Sequence, residues 1–204
     1  MAKDKNLPYQ FAEKNALDRI TDGRAHQGVI AYVSTFEYCD VEDILEKARQ
    51  KGEEPFLIIL DGIEDPHNLG AIMRTVDGAG AHGIVIPKRR AAGITDVVAK
   101  ASAGAVEYVP VAKVSNIAQT VDKLKELGVW TFACDMDGTE YVKADLSESI
   151  ALVIGAEGQG ISRLVKEKCD FSLSIPMSGK ISSLNASNAA AILMYEVRRQ
   201  RKDK

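Results

Sequence analysis

Hydrophobic and polar positions fall into two regimes along this chain. Before residue 55 the apolar positions are scattered. The first 25 residues are polar without a sustained period, and GVIAYVSTF at 28–36 is a single apolar, partly β-branched run that reads as a strand. Val41, Ile44, Leu45 and Ala48 follow at i, i+3, i+4, i+7, behind Asp40 and ahead of Gly52. That spacing predicts a short amphipathic helix with an N-cap and a C′ glycine. One strand and one helix cannot close a core, so 1–54 reads as an N-terminal extension or linker. From Pro55 the alternation becomes regular. FLIILD (56–61) has the continuous apolar character of a strand buried on both faces. Leu69, Ile72, Met73 and Val76 mark a helix face, IVIP (84–87) a strand, 97–103 a helix and VEYVPV (106–111) a strand. The spacing further predicts a helix over 114–127, strands at 129–134 and 150–155, a helix over 161–168, a strand at 171–176 and a last helix over 184–199. Strands alternating with helices argue an α/β domain over 55–204, a mostly parallel sheet flanked by helices.

Composition narrows the classes. With 204 residues, 46% hydrophobic and 27% charged, the chain is an ordinary globular protein of one domain plus an appendage. A formal net charge of −3 excludes holding nucleic acid by bulk charge. There is no 18-residue apolar run for a membrane span and no apolar h-region near the start, so the expected location is cytoplasmic. Cys39, Cys134 and Cys169 are far apart without C-x-x-C, and His26, His67 and His82 form no ligand cluster; neither a disulfide framework nor a metal site is expected.

Ligands of open parallel sheets sit outside the carboxyl ends of the strands. Three segments at such ends are unusual: DGIEDPHNLGAIMRT (61–75), IGAEGQGIS (154–162) and IPMSGKISSLNASN (175–188). In the first, Asp65 ahead of Pro66 or Asn68 ahead of Leu69 could cap a helix. Arg74 lies off that helix's apolar stripe. In the second, Gly155, Gly158 and Gly160 spell G-x-x-G-x-G, which is not a dinucleotide or P-loop fingerprint; the glycines suit a tight turn, and Glu157 suits a helix start. In the third, Ser182 and Ser183 could cap the last helix, while Asn185 and Asn188 near its start are poor helix formers. That excess of amides and hydroxyls in one turn points to a polar site.

Taken together, DPHNLGAIMRT (65–75), LVIGAEGQGI (152–161) and IPMSGKISSLNAS (175–187) resemble the three signature blocks of the SpoU–TrmH branch of the SPOUT superfamily, RNA ribose 2′-O-methyltransferases. Order and separation fit over about 55–200, and the likeness is greatest to the 23S ribosomal RNA guanosine-2′-O-methyltransferases. HQGVIA at 26–31 resembles that group's linker, so the resemblance makes 1–54 the remnant of an L30e-like RNA-binding domain. It implies a C-terminal deep trefoil knot, S-adenosylmethionine as cofactor held by backbone at Gly155, Ile175 and Leu184, a homodimer, and RNA as partner. It places Asn68, Arg74, Glu157 and Asn185 at the methyl-transfer site. A tRNA 2′-O-methyltransferase, or a non-catalytic RNA-binding or ribosome-assembly factor on the same fold, are the alternatives. An arginine is the family's proposed base, yet a guanidinium holds its proton to a pKa above about 12. Positioning a phosphate and stabilising alkoxide charge is the role that fits Arg74 better. Lys88, Arg89, Arg90 and Lys180, with Arg198, Arg199, Arg201, Lys202 and Lys204, are the local cations available to RNA; for the tail, helix-dipole complement and solubility compete with RNA contact.

Overall fold

The computed structural model describes residues 9–23, 25–30 and 36–202. They form two compact units, Met1–Glu37 and Tyr38–Lys204. The first contains α1 (Lys14–Ile20), which buries none of its residues. Behind it, His26 Nδ1 accepts from Gly28 N at 3.0 Å, which leaves Nε2 to donate to Asp18 Oδ1 at 2.9 Å. Of the expected 28–36 strand, 31–35 lie outside the described residues, and 28–30 and 36 are not in a strand.

The second unit is a sheet of six parallel strands in the order β3-β2-β1-β5-β4-β6. The strands are β1 (Phe56–Asp61), β2 (Gly83–Pro87), β3 (Val111–Val114), β4 (Trp130–Glu140), β5 (Ile150–Gly155) and β6 (Phe171–Ser174). Helices α2 (Val41–Lys51), α3 (Pro66–Ala79), α4 (Asp96–Ala101), α5 (Ile117–Glu126), α6 (Arg163–Lys168) and α7 (Ala186–Lys202) complete it. Alternation along each strand sends neighbouring side chains to opposite faces. Leu57 and Ile59 join Ile44 and Leu45 of α2, Val121 and Leu124 of α5 and Val165 of α6 in one core. On the other face α3 packs against α4 and α7, burying Leu69, Met73, Leu193 and Met194. Each such side chain contributes about 1.5–3 kcal/mol by leaving water.

The compact unit that holds the sheet takes in α2, whose apolar face is part of the core, and Cys39, which bridges Ala112 along the outer edge of β3. Two element boundaries differ from the sequence reading. Of the 106–111 run only Val111 is in a strand. Ala105–Glu107 is a 3-10 turn, and pairing starts at Val111, after Pro110, which has no N–H for a ladder. Val114 belongs to β3, and α5 starts at Ile117 behind Asn116, whose side chain accepts from Gln119 N.

The amino ends of the strands are locked by polar groups, one half-buried and one buried. Arg201 donates to the carbonyls of Glu54 (2.7 Å), Pro55 (3.0 Å) and Glu148, and its guanidinium lies 5.2 Å from the centre of the Phe56 ring. Buried His82 accepts from Phe56 N at Nδ1 (3.0 Å), so Nε2 donates to Glu53 (2.9 Å). The basic tail is therefore partly structural. Arg201 closes the sheet and Arg199 pairs with Glu196 at 2.7 Å, whereas Arg198 and Lys202 remain at the surface and Lys204 lies outside the described residues.

Candidate active site

The three signature segments converge at the opposite, carboxyl end of the sheet. Asp65 caps α3 by accepting from His67 N at 2.9 Å, which settles the choice between two cap candidates and leaves Asn68 free to face outward from the first turn. After β5 the chain makes a tight reversal closed by Ala156 N→Gly160 O (3.2 Å) and Gly160 N→Ala156 O (2.8 Å). Gly158 and Gly160 have φ of +78° and +68°, and a Cβ on Gly155 would lie 2.2 Å from the Gly160 carbonyl carbon. The G-x-x-G-x-G spacing is thus a backbone requirement of this turn. Ser162 N, just beyond, donates to Asp61 Oδ2 at 2.8 Å and ties the turn to the end of β1.

Glu157 projects from that turn. Its Oε1 accepts from Asn68 Nδ2 (2.9 Å), from Asn185 Nδ2 and, at 3.4 Å, from Ala186 N, the first amide of α7. Glu157 is a helix-start carboxylate as its position suggested, but for α7 rather than for the helix that follows it in sequence. Asn185 Nδ2 also donates to Asn68 Oδ1 at 2.9 Å, joining residues 117 positions apart. Asn185 Oδ1 caps α7, accepting from Ser187 N (3.0 Å), Ser187 Oγ (2.6 Å) and Asn188 N (3.4 Å). The reverse amide orientation would set donors against donors, so this network allows only one. Asn185, not Ser182 or Ser183, is the cap, and part of the polar excess near 185 serves the helix.

Beside this cluster lies a cavity of about 380 Å³ between the carboxyl ends of β4, β5 and β6. Gly155, Ile175 and Leu184 all line it, as do Cys134 and Met136 from β4, which the motif comparison could not single out. Their position at a parallel strand's carboxyl end was the available signal. The volume falls in the range of about 300–1,000 Å³ that small-molecule sites occupy, and the lining is mainly apolar with exposed backbone, which suits a nucleoside-sized ligand. Burial pushes the Cys134 thiol up, so it meets the cavity as a neutral, apolar wall.

Arg74 does not join the cluster. Six residues beyond Asn68 on α3, it lies about 9 Å further along and about 120° around the helix. Its side chain is exposed and has no hydrogen-bond or ion-pair partner among the described residues. Three of the four expected transfer-site residues therefore meet, and the fourth stands apart at the surface. Among the described residues no group of three or more His, Cys, Asp and Glu could hold a metal ion, and no helix is long and apolar enough to cross a membrane.

A parallel α/β sheet with a nucleoside-sized cavity under a glycine turn, rimmed by an amide–carboxylate cluster, defines a ligand-binding α/β protein of the kind that works at strand carboxyl ends. Family comparison makes this specific. Residues 55–195 match the SpoU rRNA Methylase family, and residues 1–39 match the RNA 2′-O ribose methyltransferase substrate-binding family. The chain belongs to the SpoU methylase family. It is 52% identical over 202 residues to a Bacillus subtilis protein that carries the name TrmH family tRNA/rRNA methyltransferase YacO, covering 98% of this chain and 81% of that one. Its fold is similar to the SpoU methyltransferase AviRb from Streptomyces viridochromogenes, solved in complex with AdoMet (TM-score 0.73, 29% identity, 82% of this chain and 67% of that one). A TrmH-family RNA methyltransferase structure from Porphyromonas gingivalis superposes with a TM-score of 0.68 at 34% identity, covering 72% of this chain and 60% of that one. The chain thus spans less than two thirds of that solved relative.

Proposed function

We propose that the chain transfers a methyl group from S-adenosylmethionine to a ribose 2′-hydroxyl of RNA, with a guanosine of 23S ribosomal RNA as the target, acting in the cytoplasm as a homodimer. The observation that carries this reading is the meeting of Asn68, Glu157 and Asn185 beside a cavity lined by Gly155, Ile175 and Leu184. The complex of AviRb with AdoMet, on a similar fold, supports the choice of cofactor. The trefoil threading of the C-terminal third belongs to the same proposal.

Bound at Gly155, Ile175 and Leu184, S-adenosylmethionine supplies the electrophilic methyl carbon, a chemistry no side chain offers. The residues themselves hold and orient. Gly155 brings backbone to the cavity wall, and a Cβ there would strike the Gly160 backbone that closes the turn. Glu157, fixed through Oε1 by three donors, keeps Oε2 for a substrate hydroxyl, and Asn68 and Asn185 set its direction. Aligning a ribose oxygen with a fixed electrophile is worth several orders of magnitude, because the entropy of encounter is already lost. Arg74, exposed and without a partner among the described residues, grips an RNA phosphate in bidentate fashion and so holds the ribose in place.

The test incubates the purified chain, methyl-labelled S-adenosylmethionine and total RNA from cells lacking the gene, then digests the separated RNA classes to nucleosides for mass spectrometry. Label in 2′-O-methylguanosine from 23S RNA is expected. Label confined to tRNA would change the substrate class, and label on a base would overturn ribose chemistry. RNA binding without any label would favour a non-catalytic assembly factor.

A further inference from the structure

The cavity that carries the proposed cofactor reading has one charged side chain in its wall, Asp135. Its position follows from a break in the sheet. β4 pairs with β6 up to Cys134–Leu173 and resumes at Thr139–Leu173, so the intervening residues leave the ladder, and Asp135, the first of them, lines the cavity. The carboxylate is held from behind. Oδ1 accepts from Lys166 Nζ of α6 at 2.9 Å and from Asp137 N at 3.2 Å, and the side chain is 20% exposed. Burial alone would raise its pKa, but the Lys166 ammonium and the Asp137 and Met136 amides hold the carboxyl below its ordinary range, so it is ionised at neutral pH.

An ionised carboxylate offers about four acceptor sites and no donor, and these contacts leave acceptor capacity toward the cavity. Lys166 already neutralises its charge locally, so it has little left to attract a sulfonium at long range. It keeps its strength as a short-range acceptor of charge-assisted hydrogen bonds. Apart from Gln159, Ser182 and Ser183 the rest of the wall is apolar or glycine backbone, with Ile154, Leu173 and Leu193 suited to a flat base. A pair of adjacent hydroxyls is a group that such a carboxylate recognises.

We propose that Asp135 accepts hydrogen bonds from the 2′,3′-cis-diol of the ribose of the nucleoside ligand in this cavity, and that Lys166 is the positioning residue that fixes it there. The assignment rests on the reading of the cavity as the S-adenosylmethionine site. Asp135 makes the site selective for a ribonucleoside, because a ligand without the hydroxyls gives nothing to the acceptor sites that Lys166 and the Asp137 amide leave open.

Calorimetry on the full chain tests this without turnover, using S-adenosylhomocysteine and its 2′,3′-dideoxy analogue. The natural chain is expected to prefer the diol by about 100-fold. Asp135→Ala should weaken S-adenosylhomocysteine by about 100-fold and leave the dideoxy analogue within about twofold, so the preference collapses; Asp135→Asn, retaining one acceptor, should fall between. Lys166→Met keeps the carboxylate but frees it, and should lower the preference to a value between those of the natural chain and Asp135→Ala; unchanged affinity for the dideoxy analogue in every variant shows that the cavity is intact. Equal losses with both ligands, or undiminished S-adenosylhomocysteine affinity in Asp135→Ala, would overturn the assignment. So would loss of S-adenosylmethionine with S-adenosylhomocysteine retained, since the carboxylate would then face the sulfonium. If the natural chain binds neither compound, the cofactor reading itself falls, and this assignment with it.

Discussion

The two ends of the sheet use the same residue types for opposite purposes. At the amino end, Arg201 is half-buried against Phe56 and donates to three carbonyls, and His82 is buried between a backbone amide and Glu53. At the carboxyl end, Arg74 stands exposed without a partner among the described residues, and Glu157 and the two asparagines hydrogen-bond to one another at the surface. Polar groups whose partners are all internal hold strands together. Groups left with spare donors or acceptors beside a cavity can take a ligand. The difference lies in what surrounds each residue, since an arginine is an arginine at either end.

The comparison breaks most sharply at Gly155. In Gly155→Val the new side chain meets the Gly160 backbone, so the turn must move; overpacking of this kind destabilises by about 1–3 kcal/mol. S-adenosylhomocysteine binding should be abolished in calorimetry while the circular dichroism of the sheet persists. Arg201→Met tests the other end. It strands three carbonyls near the sheet edge and should lower unfolding free energy by about 2–4 kcal/mol in urea melts, with ligand affinity in the surviving folded protein unchanged. Arg74→Ala should do the converse, leaving stability within about 0.5 kcal/mol but lowering turnover about 100-fold. Arg74→Lys separates bidentate grip from charge, and substantial retained turnover there would refute the bidentate role.

The smallest effect sharpens the amino end further. Burial pushes the His82 imidazole below its ordinary pKa of 6.5, despite the opposing pull of Glu53. The unfolded chain therefore takes up this proton at a higher pH than the folded one. The contribution of His82 is complete above about pH 6.5 and is lost as pH falls below it, by at most about 1.4 kcal/mol per pH unit. His82→Gln should flatten that part of the stability–pH curve in urea melts at pH 7, 6 and 5. An unchanged slope would show that other groups carry it.

Much of this architecture was legible in the chain itself, for local reasons. FLIILD and IALVIG are apolar without alternation, which only a strand covered on both faces explains, and both pair in register at the sheet's centre. The 106–111 run looked equally strand-like, but its turn depends on Gly104 at φ +93° and on Pro110, and the apolar residues around them masked the signal. The cluster was legible only in part. Asn68, Glu157 and Asn185 stood out because the three blocks resemble a family's signature. That Asn185 also caps α7, and that Asp135 lines the cavity, depend on contacts that no spacing encodes.

By itself the sequence determined the period of its hydrophobic residues, hence strands and helices in alternation, and the glycines without which the turn after β5 could not close. Those are local properties, decided within a few residues by sterics and burial. Only the tertiary structure decided which polar residues became structure and which were left for chemistry. The basic tail and Arg74 are alike in composition, but folding carried Arg201 beneath the sheet's amino end and left Arg74 in water. The free energy of a charged group depends on the partners and solvent that the completed fold assigns to it.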